Sequence, residues 1–134
     1  MSLSRQDIQR LLEEYQLLNE LLASLQAQHA TVSELVEELS TALDGVRLLK
    51  SGGGERLVHI GAGIFVSGVF ESREVLTPLG AGYYAFLDLE NAERIIKERL
   101  EEYSRVKTSL EENIERLTER ALQIRQVLER VGIR

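Results

Sequence analysis

The sequence predicts an α+β chain: a long antiparallel two-helix coiled coil with an inserted pair of β-hairpins. Three observations carry that reading. An unbroken apolar repeat of alternating spacing 3 and 4 fills the first third of the chain, a second long stretch free of glycine and proline fills the last third, and a glycine-rich middle repeats itself at an offset of nineteen residues. With 134 residues, 43% of them hydrophobic and 28% charged, the chain suits a single ordered domain, taken as residues 1–134, rather than a disordered segment.

The first helix is expected over about residues 4–47. Its seam reads Ile8, Leu11, Tyr15, Leu18, Leu22, Leu25, His29, Val32, Val36, Leu39, Leu43 and Val46, and eleven of these twelve positions are apolar. Persistence over more than five heptads marks a coiled-coil helix. Ser4 followed by Asp7 resembles a capping box and sets the start. At 1.5 Å per residue the helix would run roughly 65 Å. His29, alone in the seam, is expected to fix register or to pair with a polar neighbour rather than to act as a switch.

The second helix is expected over about residues 88–131, opened by Asp88 as N-cap and stopped by Gly132. Its stripe is Ala92, Ile96, Leu100, Tyr103, Val106, Leu110, Ile114, Leu117, Ala121, Ile124, Leu128 and Val131. From Leu110 onward the 4-3 alternation is strict; before it the pattern drifts, which predicts ordinary helix packing next to the insert and a true coiled coil beyond. Two helices of about equal length, folded back on each other, would pair along their whole extent and bring the chain termini together.

Between them, about residues 55–87 form the insert. Eight of the ten glycines fall between Leu48 and Leu87, and Leu57–Val66 (LVHIGAGIFV) aligns with Leu76–Ala85 (LTPLGAGYYA). Glycine supplies the positive φ of a tight reversal, so each copy predicts a β-hairpin, with Ser51–Gly54 as a flexible lead-in and Ser72–Glu74 as the link. Pro78, which has no N–H, predicts an edge strand or an unbonded position. Ile64–Val66 and Tyr83–Leu87 are apolar on consecutive residues, so both faces of these strands call for cover. Burying one such side chain contributes about 1.5–3 kcal/mol. Leaving half a dozen exposed forfeits something comparable to a domain's net stability. The remedy is oligomerisation, with the interface expected at Leu57, Val58, Ile60, Ile64, Phe65, Val66, Val69, Phe70, Val75, Leu76, Leu79, Tyr83, Tyr84 and Phe86.

Composition excludes several functions. Cysteine is absent and only two histidines occur, so thiolate metal sites, disulfides and cysteine nucleophiles are out, no cofactor is expected, and no metal or catalytic constellation is spaced for use. Gly80–Ala85 fits G-x-G-x-x-A, but a strand-like aromatic run follows where a nucleotide site needs a helix. Paired glutamates such as Glu13–Glu14 and Glu111–Glu112 point in different directions around a helix, not at one substrate atom. The net charge of -6 falls mostly on residues 1–47, with 3 basic against 8 acidic side chains, which argues against nucleic acid despite Arg116, Arg120, Arg125, Arg130 and Arg134. The longest apolar run is about five residues where a membrane span needs about twenty, and the polar N-terminus lacks a secretory signal, so a cytoplasmic location is expected.

These residues together resemble the alpha-class subunits of prefoldin, archaeal type, over essentially the whole chain. The heptad helix, the LVHIGAGIFV hairpin, the LTPLGAGYY hairpin and the Asp88–Ile96 opening of the return helix carry the resemblance, and the doubled hairpin is its specific part, since beta-class subunits have one. The resemblance implies a hetero-hexamer of two alpha and four beta subunits whose hairpins oligomerise into a β-barrel platform bearing coiled coils. It also implies nucleotide-independent capture of unfolded protein clients at the coiled-coil tips and their transfer to a group II chaperonin. Alpha-class relatives that form filaments leave a structural self-assembling protein without a client as the alternative. Client binding needs apolar surface not consumed by the seam, which points to Leu3, Ile8, Leu11, Leu12, Tyr15, Leu122, Val127, Leu128, Val131 and Ile133, with Leu17 and Leu21 beside the first seam. Arg125, Arg130 and Arg134 are candidates for electrostatic steering.

Overall fold

The computed structural model describes residues 3–52, 54–70 and 74–133. Gly53 of the lead-in, Ser72 and Arg73 of the link, and Arg134 lie outside the described residues. The element order is α1 (Arg5–Lys50), β1 (Glu55–Gly61), β2 (Ile64–Val69), β3 (Glu74–Gly80), β4 (Tyr83–Asp88) and α2 (Leu89–Arg130).

Local chemistry explains where the helices begin and end. At the start of α1, the Asp7 N–H donates to Ser4 Oγ at 3.1 Å while the Ser4 N–H and hydroxyl donate to Asp7 Oδ2 at 3.2 and 2.8 Å. Two donors left without helical partners are thereby satisfied. α1 runs one turn beyond the expected residue 47, and its last turn holds Arg47 and Lys50, both paired with Glu93 of α2. Cations there also complement the helix dipole. Asp88 closes β4 and caps α2, accepting the Asn91 N–H at 2.7 Å. At the far end of α2 the Ile133 N–H donates to Leu128 O at 2.9 Å and the Gly132 N–H to Glu129 O at 3.1 Å, with Gly132 at φ +83°. This is the Schellman arrangement, and Ile133 completes it by packing with Leu128.

The chain divides into two compact units, Met1–Leu35 with Tyr103–Arg134, and Val36–Glu102. In the first, Leu18, Leu22, Ala121, Ile124 and Leu128 form a buried cluster, flanked by Ile8, Leu11, Leu12, Tyr15, Ile114, Leu117 and Ile133. Arg120 reaches across to Glu14 with two hydrogen bonds of 2.8 and 3.0 Å, and that bond holds the Glu14 carboxyl below its ordinary pKa. Every expected seam residue of α1 is buried or half-buried. The expected stripe of the second helix departs from the structure at two places: Val131 lies past the end of α2 and is exposed, and within the helix Val106 and Lys107 exchange roles. Val106 is exposed, and Lys107 is half-buried in its stead, so the inward positions Ile96, Leu100, Tyr103, Lys107, Leu110 and Ile114 keep the 4-3 alternation without drift. The break at Val106 thereby disappears, and the irregularity that remains is the 4-4 step from Ala92 through Ile96 to Leu100, where Ala92 is fully buried. A lysine stem buries its methylenes while its ammonium stays wet, which lets it stand in a seam position.

Within the first unit His29 is half-buried, its Nε2 3.7 Å from Glu111 Oε1 and without a hydrogen-bond partner, one helical turn from the equally unpartnered Ser33 Oγ. It sits beside a carboxylate, as expected of a polar seam residue, but beyond hydrogen-bond reach. The second unit holds the other core, Leu43, Val46 and Ile96, with Leu39, Leu89 and Leu100 against it. It also holds both hairpins.

Candidate interaction surfaces

Each copy of the repeat is a separate two-stranded antiparallel sheet, β1 with β2 and β3 with β4. Their registers superimpose at the same offset of nineteen: Val58 faces Val66 as Thr77 faces Ala85, and His59 faces Phe65 as Pro78 faces Tyr84. Both ladders shift one residue before the turn, at Ile60 and at Leu79. The turns reverse over Ala62–Gly63 and Ala81–Gly82, with φ of +48° and +74° in the first and +51° and +80° in the second. Positive φ at both central residues is the type I′ turn, whose twist matches the strands it joins. Glycine was legible as the reason for a reversal; the alanines in the left-handed region were not.

Alternation along the strands sorts the second hairpin into two faces. Val75, Thr77, Ala85 and Leu87 are turned into the chain, and Thr77 is only 4% exposed, its hydroxyl donating to Val75 O at 3.1 Å. Leu76, Pro78, Tyr84 and Phe86 form the opposite face and lie open. Arg99 of α2 anchors the sheet by donating from Nη1 to Pro78 O at 2.7 Å. In the first hairpin neither face closes. Val58 and Val66, the counterparts of Thr77 and Ala85, stay 39% and 49% exposed, and Leu57, Phe65 and Val69 on the other face are more open still. Arg56 ties this copy to the end of α1, donating to Gly52 O at 3.2 Å and Leu48 O at 3.4 Å. Of the fourteen expected interface residues, thirteen are exposed; Val75 is half-buried within its own chain, so the requirement for cover on both faces holds for one copy and not for the other.

The terminal parts of the helices carry the second apolar surface. Among the residues expected there, Leu128 is buried in the seam, Leu3, Ile8, Leu11, Leu12, Tyr15, Val127 and Ile133 are half-buried, and Leu122 and Val131 are exposed. Leu17, at 66%, and Leu21 stand one turn apart on α1 and are open. A cleft of about 740 Å³ is lined by Leu12, Tyr15, Leu128 and Ile133 together with the Arg125–Glu129 pair, whose Nε···Oε1 distance is 3.0 Å. Among the described residues no group of three or more His, Asp or Glu side chains could hold a metal ion, and no helix is long and apolar enough to cross a membrane.

Comparison with known proteins decides the family. The family model described as Prefoldin subunit matches residues 18–134. The chain belongs to the prefoldin family, in its alpha class. It is 93% identical over 134 residues, the whole of both chains, to a protein named Prefoldin subunit alpha from Pyrobaculum calidifontis. To the protein of the same name from Pyrobaculum islandicum it is 81% identical over 132 residues, covering 98% of this chain and all of the other. A filamentous PFD from Methanocaldococcus jannaschii, solved by cryo-EM, shares the fold with a TM-score of 0.63 at 20% identity, over 84% of this chain and 95% of the other. The paired helices and the doubled hairpin are thus the prefoldin fold, and the open apolar strands belong to a fold whose sequence relatives are named as subunits.

Proposed function

We propose that this chain is the alpha-class subunit of an ATP-independent, non-catalytic chaperone of the cytoplasm, a hetero-hexamer with four beta-class subunits and a second alpha-class one. Its hairpins pool with those of the partners into a shared β-barrel platform. Its coiled-coil ends capture non-native proteins and pass them to a group II chaperonin. The observation that carries the reading is the coexistence of a well-filled seam with open leucines beside it. Leu18, Leu22 and Ile124 already close the helix pair, so Leu17, Leu21 and Leu122 contribute nothing to that closure and remain available to an apolar segment of another chain. An exposed leucine held on a rigid helix binds weakly by itself and adaptively in a group, which suits clients without a fixed structure.

The combined variant Leu17→Ser, Leu21→Ser, Leu122→Ser tests this in the complex assembled with a beta-class partner. Suppression of aggregation of a chemically denatured protein should fall severalfold while the mass of the complex and its melting temperature stay unchanged. Undiminished suppression defeats the assignment. The second reading, a self-assembling structural filament, rests on the first hairpin, whose two open faces favour continued addition of copies. Light scattering separates the two: closed particles of hexamer mass formed only with the partner support the chaperone, and open polymers of the chain alone support the filament.

A further inference from the structure

The helix pair closes weakly at one level. The seam of α1 is buried at Leu18 and Leu22 and again at Leu43 and Val46, whereas Leu25, His29, Val32, Val36 and Leu39 between them are only half-buried. On α2 Leu110 is the one buried side chain between Ile96 and Ala121, and it belongs to neither buried cluster. The polar atoms at this level are poorly matched. His29 Nε2 and Ser33 Oγ are shut off from solvent without hydrogen-bond partners, and Glu111 stops 3.7 Å short of the imidazole. The Thr31 hydroxyl donates back to Ala27 O at 3.2 Å; that of Ser33 makes no such bond. Lys107 takes the inward position between Tyr103 and Leu110. A recess of about 360 Å³, lined by Ala27, Gln28, Thr31, Val32, Val106 and Leu110, reaches two residues of the seam itself. Closing the helices here has cost two polar atoms their water without giving either a partner, and separating them returns that water. Little apolar burial is lost in exchange, since Val32 is already half in water. Few buried apolar side chains and unsatisfied polar atoms place a stretch at the low end of local stability.

We propose that the helix pair opens locally at this level, between His29–Ser33 of α1 and Lys107–Glu111 of α2, while the cluster of Leu18, Leu22, Ile124 and Leu128 stays closed. The opening belongs to the folded subunit and needs neither partner nor client. It uncovers Val32 and Leu110 beside Val106, which is already exposed, so the paired helices carry apolar surface that is accessible only intermittently. The terminal cluster resists because Ile124 is almost fully buried and Arg120 holds Glu14 by two hydrogen bonds across the pair.

The chain has no cysteine, so a single thiol can report the opening. Leu110 and Leu22 are equally buried, 8% and 9% exposed, so Leu110→Cys and Leu22→Cys compare opening and not static exposure. Under folding conditions the thiol at position 110 should react with a maleimide roughly tenfold faster or more than the one at position 22. Equal rates, or a faster reaction at position 22, overturn the proposal. Adding His29→Leu and Ser33→Ala should slow the reaction at position 110 severalfold and leave that at position 22 unchanged. An unchanged rate at position 110 removes the polar atoms as the cause, and equal slowing at both positions reveals global unfolding in place of a local opening; either result overturns the proposal. Amide hydrogen exchange of the unsubstituted chain gives a reading free of any perturbation by the cysteines. The amides of Thr31–Ser33 and Ser109–Glu111 should exchange faster than those of Leu18–Leu22, and the opposite order overturns the proposal.

Discussion

The two hairpins share a repeat, a turn and a register, yet the second turns one face into its own chain and the first turns neither. Their difference runs against composition. The inward face of the second copy has Thr77 and Ala85 at its centre, whereas the equivalent face of the first has Val58 and Val66 and is open. A small or hydroxyl-bearing residue lets the sheet lie close to its support, and Thr77 satisfies its hydroxyl locally on Val75 O. Among the described residues the valines of the first copy are not closed over: Val58 borders an open recess with Gly45, Leu48 and Leu49 of α1, and Val66 is half exposed. Apolarity on these strands therefore measures the need for a partner more than the depth of burial in the isolated subunit.

The sharpest way to break this comparison is to place the same charge at equivalent positions. Val58→Asp with Val66→Asp should abolish assembly with a beta-class partner, read by light scattering, because two carboxylates then occupy a face that has to be desolvated. The isolated chain should keep its helical circular dichroism and its melting temperature, since both sites are solvent-exposed there. Thr77→Asp should do the reverse and destabilise the chain itself by about 3 kcal/mol or more, seen as a lowered urea midpoint of the isolated subunit. If both changes act alike, the two faces are not distinct.

A smaller effect sharpens the comparison by showing what the copies have in common. Ala62 and Ala81 sit at φ +48° and +51°, where a Cβ costs about 1–2 kcal/mol. Replacing either by glycine removes that cost and adds some chain entropy loss, for a net gain of about 0.5–1 kcal/mol, the same in both copies when measured by denaturant unfolding. Unequal gains would place the asymmetry in the turns rather than in the faces.

The smallest effect concerns the ion pairs that anchor the helices. The Glu93 carboxyl is held below its ordinary value of 4.5 by hydrogen bonds from Lys50 and Arg47, and Glu14 likewise by Arg120. A depressed carboxylate contributes stability that is present above its unfolded pKa and is lost as pH falls through the folded one. The melting temperature should thus be flat near neutrality and decline below about pH 4.5. Glu93→Gln should lower the neutral value slightly and flatten the acid decline. Both pairs are partly solvated, so the change is modest. An acid limb as steep in that variant as in the parent chain would remove these bridges from the account.

Much of this architecture is written in local patterns. The Ser4–Asp7 box, the Asp88 cap, the Gly132 stop and the α1 seam from Ile8 to Val46 follow from residue type and spacing, because capping and heptad packing are decided within a few residues or between two repeating surfaces. The doubled Gly-Ala-Gly motif likewise announced two hairpins and an apolar surface too large to leave wet. Where the sequence misled, a neighbour in space decided. Lys107 rather than Val106 faces the seam, since helical phase outweighs the character of a single side chain. Val75 is covered and Val58 is not, although both are apolar strand residues. The carbonyl of Pro78 is bonded by Arg99, twenty-one residues away in sequence. Turn and helix geometry are local quantities, but which face of a strand is covered and which carbonyl finds a distant donor depend on what lies beside it, and only the folded chain specifies that.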